Sequence, residues 1–210
     1  MMKRLAAILA GVLLAACGGN VRTAEPAQYD LGHLTGTWTG VRIPIAAVEV
    51  QASSWLSGPA MYFRLAYAEP LRRQSYAESR WAAPPAELLE TFLKRRIVFG
   101  QPDFSGAGCR LQLVLVELEQ RFEDPQQSQV MLEVRALLTP LRGAETISRR
   151  AFVIRKPAAT ATAGGGVAAT RDAVQALADD LGAWMEETAR EKPAAAERCR
   201  FINPNQKGTP

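Results

Sequence analysis

Residues that carry chemistry are scarce in this 210-residue chain, which has one His, three Cys and 7% aromatic residues. A lone His33 cannot supply a His-based metal centre, and a triad needs its proton shuttle held beside a nucleophile. His33 reads as a solvated loop residue. Cys17, Cys109 and Cys199 are too few for a disulfide scaffold, and their spacing matches no zinc-ligand pattern. No Gly-x-Ser-x-Gly frame surrounds a serine, and Ser105 in Phe-Ser-Gly has none of its neighbours. Neither sign of charge dominates: 25 Lys and Arg stand against 21 Asp and Glu. Lys3 and Arg4 fall in a segment expected to be removed, so the remainder is close to neutral and nucleic acid is not the indicated partner. With 48% hydrophobic and 22% charged residues, the chain has the composition of a folded domain.

What is present begins at the amino end. Lys3 and Arg4 precede an apolar run over 5–16, the layout of a secretory signal. As a helix that run spans about 18 Å, short of the roughly 30 Å bilayer core. Leu14-Ala15-Ala16-Cys17 resembles the bacterial lipobox, whose Cys is lipidated and becomes the mature amino terminus. A plain signal with a chance Cys is the alternative. Diacylglycerol and an amide-linked chain such as palmitate on Cys17 would anchor the protein stably. Gly18 follows where Asp would mark inner-membrane retention, which favours the inner leaflet of the outer membrane, facing the periplasm. Residues 1–16 are thus expected as signal peptide, 17–28 as lipidated Cys and flexible tether, 29–190 as a single domain, and 191–210 as a C-terminal tail.

Hydrophobic periodicity organises the domain. A short strand is expected at 29–32, and alternation predicts strands to about residue 51, over 60–68 and over 74–81, the last two as a hairpin. Pro84-Pro85 stands at a helix start, with Leu89, Phe92, Leu93 and Ile97 as its buried stripe. Residues 111–118 are apolar on both alternations, predicting a central strand covered at least in part on both faces. Strands at 130–138 and 147–155 follow, then a flexible connection over 156–166. A helix is expected over 167–189, lined by Val174, Leu177, Leu181 and Met185. The fold class is α+β: a mainly antiparallel sheet of about six strands with two helices packed on one face, in the order β-β-β-α-β-β-β-α.

Few residues invite a functional role. Glu117 and Glu119 share a strand face and suit paired carboxylates, or simply a strand end emerging into solvent. Gly164-Gly165-Gly166 before a helix lacks the Gly-Lys-Ser/Thr ending of a phosphate loop and reads as linker. The pairs Arg72-Arg73 and Arg149-Arg150, with the triplet Lys94-Arg95-Arg96, suit anionic headgroups or ordinary charged edges and a helix end. Trp55-Leu56 lies in a Ser/Gly/Pro bend, where it is a partner anchor or a plug of the core beneath. Once Cys17 is lipidated, Cys109 and Cys199 remain as a pair that an oxidising compartment would join. No cofactor, metal or catalytic residue is indicated.

Several segments taken in order carry a resemblance: Tyr29-Asp30-Leu31-Gly32, then Trp55-Leu56-Ser57-Gly58-Pro59-Ala60-Met61-Tyr62-Phe63-Arg64-Leu65, then Tyr76-Ala77-Glu78-Ser79-Arg80-Trp81-Ala82-Ala83-Pro84-Pro85, and the late helix with Trp184. Together with the lipobox, these resemble the ABC-type transport auxiliary lipoproteins, the PqiC-like family. The resemblance implies a non-enzymatic outer-membrane lipoprotein working with an MCE-domain protein and an ABC transporter or related permease. The implied task is to move lipids or other hydrophobic molecules between membranes, in some relatives as a homo-oligomeric ring. A stand-alone envelope lipoprotein that binds a cell-wall or hydrophobic ligand is the competing reading.

Overall fold

The computed structural model describes residues 25–32, 43–96, 108–141 and 145–199. Its strands are β1 (Ala27–Tyr29), β2 (Ile45–Ala52), β3 (Ala60–Leu65), β4 (Arg73–Trp81), β5 (Cys109–Phe122), β6 (Ser128–Pro140) and β7 (Ser148–Pro157). Its helices are α1 (Pro85–Arg96), α2 (Ala163–Glu191) and the short α3 (Pro193–Glu197). The expected α+β class holds, with seven strands in one sheet ordered β1-β4-β3-β5-β6-β7 and β2 also paired to β5. The hairpin β3–β4 and the meander β5–β6–β7 are antiparallel. The alternation pattern did not reveal three parallel pairings, β1 with β4 and both β2 and β3 with β5.

Strand β5 organises the molecule. One edge pairs with β6 along its whole length. The other edge is shared: β2 pairs from Cys109 to Leu115, and β3 from Gln120 to Phe122. Between them the register shifts from Leu115 to Glu117. An extra residue at a bulge reverses which parity faces the core. Leu111, Leu113 and Leu115 are buried before the shift, and Leu118 and Phe122 after it. The cover on the other face is only partial, within the expectation: Glu119 is buried there. The apolar run satisfies one face in two phases and leaves Val114 on the other, 41% exposed.

Both helices lie against that one face. Leu88 and Leu89 of α1 and Thr170 and Val174 of α2 converge on Leu115, Leu118 and Leu132. Further along α2, Trp184 is buried, its ring edge-on to Phe152 of β7 at 6.0 Å, and its indole N–H donates to Ser148 Oγ at 3.2 Å. Trp81 is buried beside Leu88 where α1 begins. Ile97 of the expected α1 stripe lies outside the described residues.

The glycine tract is not a linker: it forms the first turn of α2. Thr162 caps that turn, its hydroxyl accepting the Gly165 N–H at 3.1 Å. A Cβ on Gly165 would sit 2.1 Å from the Thr160 carbonyl, and one on Gly166 would sit 2.1 Å from Gln120 Oε1. These glycines let the helix approach the sheet closely. Buried Gln120 also donates to Ser128 Oγ at 2.7 Å and to the Thr162 carbonyl at 3.2 Å. Its Oε1 accepts from Tyr76 at 2.9 Å, and burial pushes that phenol up to about 12.

Cys109 and Cys199 are joined by a disulfide with Cα atoms 5.0 Å apart, both fully buried. The bond fastens the turn after α3 to the start of β5. Within the expected C-terminal tail, α3 thus contributes Ala196, and the turn after it Cys199, to the core.

Candidate functional site: the open face of the sheet

With both helices on one side, the opposite face of the sheet has no layer over it among the described residues. Two neighbourhoods divide it. The first surrounds the β5 bulge, where the edge of β5 passes from β2 to β3. Ser53 bridges that junction, its N–H donating to the Leu115 carbonyl at 3.0 Å. The 3₁₀ turn Ser54–Leu56 then sends its two apolar residues in opposite directions. Leu56 is buried in the core. Trp55 goes to the open face, half-buried, edge-on to Tyr62 at 5.4 Å and covered by the Arg73 guanidinium at 3.4 Å.

Arg73 also donates to Glu117 at 2.8 Å, and Arg64 grips Glu119 through Nε at 2.9 Å and Nη2 at 3.0 Å. The two carboxylates share a face, as expected, but they are not a strand end emerging into water: Glu119 is 3% exposed. Burial pushes the Glu117 carboxyl above the ordinary carboxylate range, and the neighbouring Glu119 charge adds to this. Arg73 and Arg64 offset part of the rise. The hydrogen bond to Glu119 raises the Arg64 guanidinium further. Both acids are committed to arginines, so the geometry is that of a cross-strand ion-pair ladder. Arg73 stands in the sequence as one of a basic pair suited to headgroups or a charged edge, but its pairing with Glu117, and that of Arg64 with Glu119, is not legible there. Two arginines on adjacent strands matching two glutamates on a third was the available signal, but it needed the register.

The second neighbourhood spans β2, β5, β6 and β7. An open hollow of about 320 Å³ is lined by Glu49, Gln51, Gln112, Leu113, Val114, Arg135, Ala136, Leu137 and Arg149. Val153, 48% exposed, lies next along the same face. Glu49 is occupied by Arg110 at 3.0 Å and Gln112 at 3.1 Å. Arg121, Arg149 and Arg155 also face this side by register and make no ion pair among the described residues. The surface therefore combines apolar side chains with positive charge left unneutralised.

Other candidates fall elsewhere. Arg96 pairs with Asp179 and Arg150 with Glu187, binding helix to helix and sheet to helix. Lys94 pairs with Glu90 within α1. The hydrogen bond from Lys94 holds Glu90 below the usual carboxylate range while Glu90 accepts the Val50 N–H at the open edge of β2. Cys17, His33 and Ser105 lie outside the described residues. Among the described residues, no acidic, Cys or His cluster could hold a metal, and no helix is long and apolar enough to cross a membrane. The apolar cleft between α1 and α2 encloses a cavity of only about 10 Å³, room for about one water at most.

Comparison with known proteins agrees with this architecture. A crystal structure of protein XCC0632 from Xanthomonas campestris, of family DUF330, superimposes with a TM-score of 0.64 at 17% identity, covering 80% of this chain and 99% of that one. A second crystal structure, of an uncharacterized protein, gives 0.54 at 14% identity over 80% and 98% of the two chains. At those identities the likeness is one of fold. No curated protein matches. The family model for the ABC-type transport auxiliary lipoprotein component matches residues 42–182, which include the bulged β5, the ladder and the hollow, and the chain belongs to that family.

Proposed function

We propose that this protein is a non-catalytic docking subunit of an intermembrane transport system for lipids or other hydrophobic molecules. Cys17 is its acylated anchor in the inner leaflet of the outer membrane, and the open sheet face receives an MCE-type partner served by an ABC transporter. The observation that carries the reading is the contrast between a sealed helical side and an uncovered face with a hollow of about 320 Å³. Val114, Leu137 and Val153 give that face apolar anchors, and Arg121, Arg149 and Arg155 give it a sign. The fitting partner segment is amphipathic and acidic, since complementary charge selects the partner while apolar burial holds it. The carboxylates Glu117 and Glu119 are occupied in the ladder, which supports a structural role for them rather than acid–base catalysis.

The competing reading, a stand-alone lipoprotein that binds a cell-wall or hydrophobic ligand, would be favoured by an enclosed apolar cavity within the monomer. Among the described residues the cleft between the helices holds only about 10 Å³, far less than one acyl chain fills, so it does not support that reading for a hydrophobic ligand. A photocrosslinker placed at Val153 in intact cells tests the docking proposal. Val153 is expected to capture an MCE-domain protein, and Leu137→Asp to abolish that capture without loss of the fold. Capture unaffected by Leu137→Asp, or none from the open face, would overturn it.

A further inference from the structure

The β3–β4 hairpin ends in a tip, residues 66–72, that is tightly held yet presents apolar side chains to solvent. The Ala68 and Glu69 N–H groups donate to the Leu65 carbonyl at 3.1 and 2.8 Å, and Arg72 N–H donates to the Glu69 carbonyl at 3.0 Å. Arg64 Nη1 reaches the Pro70 carbonyl at 3.0 Å, and the Ala66 N–H donates to Phe122, joining the tip to the end of β5. On this ordered turn Leu71 is 95% exposed and Tyr67 is 48% exposed. Nothing in the fold uses Leu71, and a hydrogen-bonded turn has no need of a leucine there.

The direction of β1 says what lies opposite. It runs parallel to β4, with Ala27 level with Ser79. The amino end of β1 therefore faces the same way as the start of β4 at Arg73, where the hairpin tip begins about 20 Å away along six residues of β4. The ten residues from Cys17 to Ala27 span at most about 35 Å, so an acyl group on Cys17 can lie level with the tip or beyond it.

We propose that the 66–72 tip rests on the membrane that holds the anchor, with Leu71 inserted among the upper acyl carbons and Tyr67 at the headgroup level. Leucine supplies apolar area without charge, and a tyrosine ring with a polar end suits the interface between water and hydrocarbon. Charge contributes little, because Arg72 is paired with Glu69 at 2.9 Å, and Glu123 and Asp124 lie on the adjoining β5–β6 turn. The tip thereby acts as a second foot that orients the domain, holding the sheet's long axis away from the membrane and leaving the open face accessible from the side.

This inference rests on Cys17 being the attachment point, so its test separates the two. The mass of the native amino-terminal peptide reads acylation directly. Independently, the soluble domain coupled through Cys17 to a maleimide lipid in phosphatidylethanolamine/phosphatidylglycerol vesicles is followed by amide hydrogen exchange. Exchange over 66–72 is expected to slow at least about fivefold relative to the uncoupled domain, while peptides of β7 stay unchanged. Leu71→Asp, at a position too exposed to affect folding, should abolish the protection. Unslowed exchange at the tip of the coupled domain, or protection on β7 instead, would overturn the proposal whatever the mass of the native end.

Discussion

The two faces of the sheet are built from the same strands and differ in almost every other respect. On the helical face, Leu111, Leu113, Leu132, Leu138, Leu177 and Leu181 are all essentially inaccessible. On the open face, alternate residues of those strands form salt bridges, a cation–π contact and a hollow with exposed valines. The covered face supplies the hydrophobic stabilisation. The open face is held in shape by polar geometry and keeps apolar area in reserve. Uncovered sheet faces normally carry polar residues, so Val114 on the central β5 and Val153 on the edge strand β7 suit the docking role proposed for this face.

Substitutions on the two faces should separate cleanly. Trp184→Ala, on the buried side, is expected to cost about 3–5 kcal/mol, and Val153→Ser within about 0.5 kcal/mol. Urea denaturation would read both, and a large loss from Val153→Ser would dissolve the distinction. Next in size, Cys109→Ala with Cys199→Ala removes a crosslink of sequence separation 90. The expected cost is about 4 kcal/mol, since closing a loop of that length restrains the unfolded chain. Wild-type protein whose urea midpoint is indifferent to a reductant able to open the bond would contradict this.

The smallest effect concerns the ladder. Because the Glu117 carboxyl is raised, the folded protein holds its proton more tightly than the unfolded chain does. The stability this brings is full below the ordinary value of 4.5 and is lost as pH rises through the raised value. Glu90, which is lowered, behaves oppositely, contributing above 4.5 and losing that contribution as pH falls. Glu117→Gln should therefore flatten the decline in stability above pH 4.5 and leave the protein at pH 7 as stable as wild type or more so, by under about 1 kcal/mol. Thermal melts from pH 4 to 8 would show it, and a steeper decline in the variant would contradict it.

Much of this is legible in the amino-acid sequence. Leu89, Phe92 and Leu93 announce α1, Val174 to Met185 announce α2, and Cys109 and Cys199 are the natural pair once Cys17 is set aside. Local periodicity suffices for these because each element buries one stripe. The open face was much harder to read. Trp55 and Leu56 are adjacent in a bend, and only the gap between β2 and β3 decides that one plugs the core and the other lies under Arg73. Glu117 and Glu119 advertised themselves as carboxylates, while their partners come from strands more than forty residues away.

The amino-acid order alone determined the α+β class, the two amphipathic helices, the hairpin and the meander, since each follows from hydrophobic spacing along one segment and from turn residues between segments. Only the tertiary structure decided which face β5 shows. A bulge changes parity without leaving a mark in composition, and the parallel docking of β2 and β3 on one edge is a long-range choice. The same holds for Gly165 and Gly166, where the absence of a side chain has meaning only once a helix is pressed against Thr160 and Gln120.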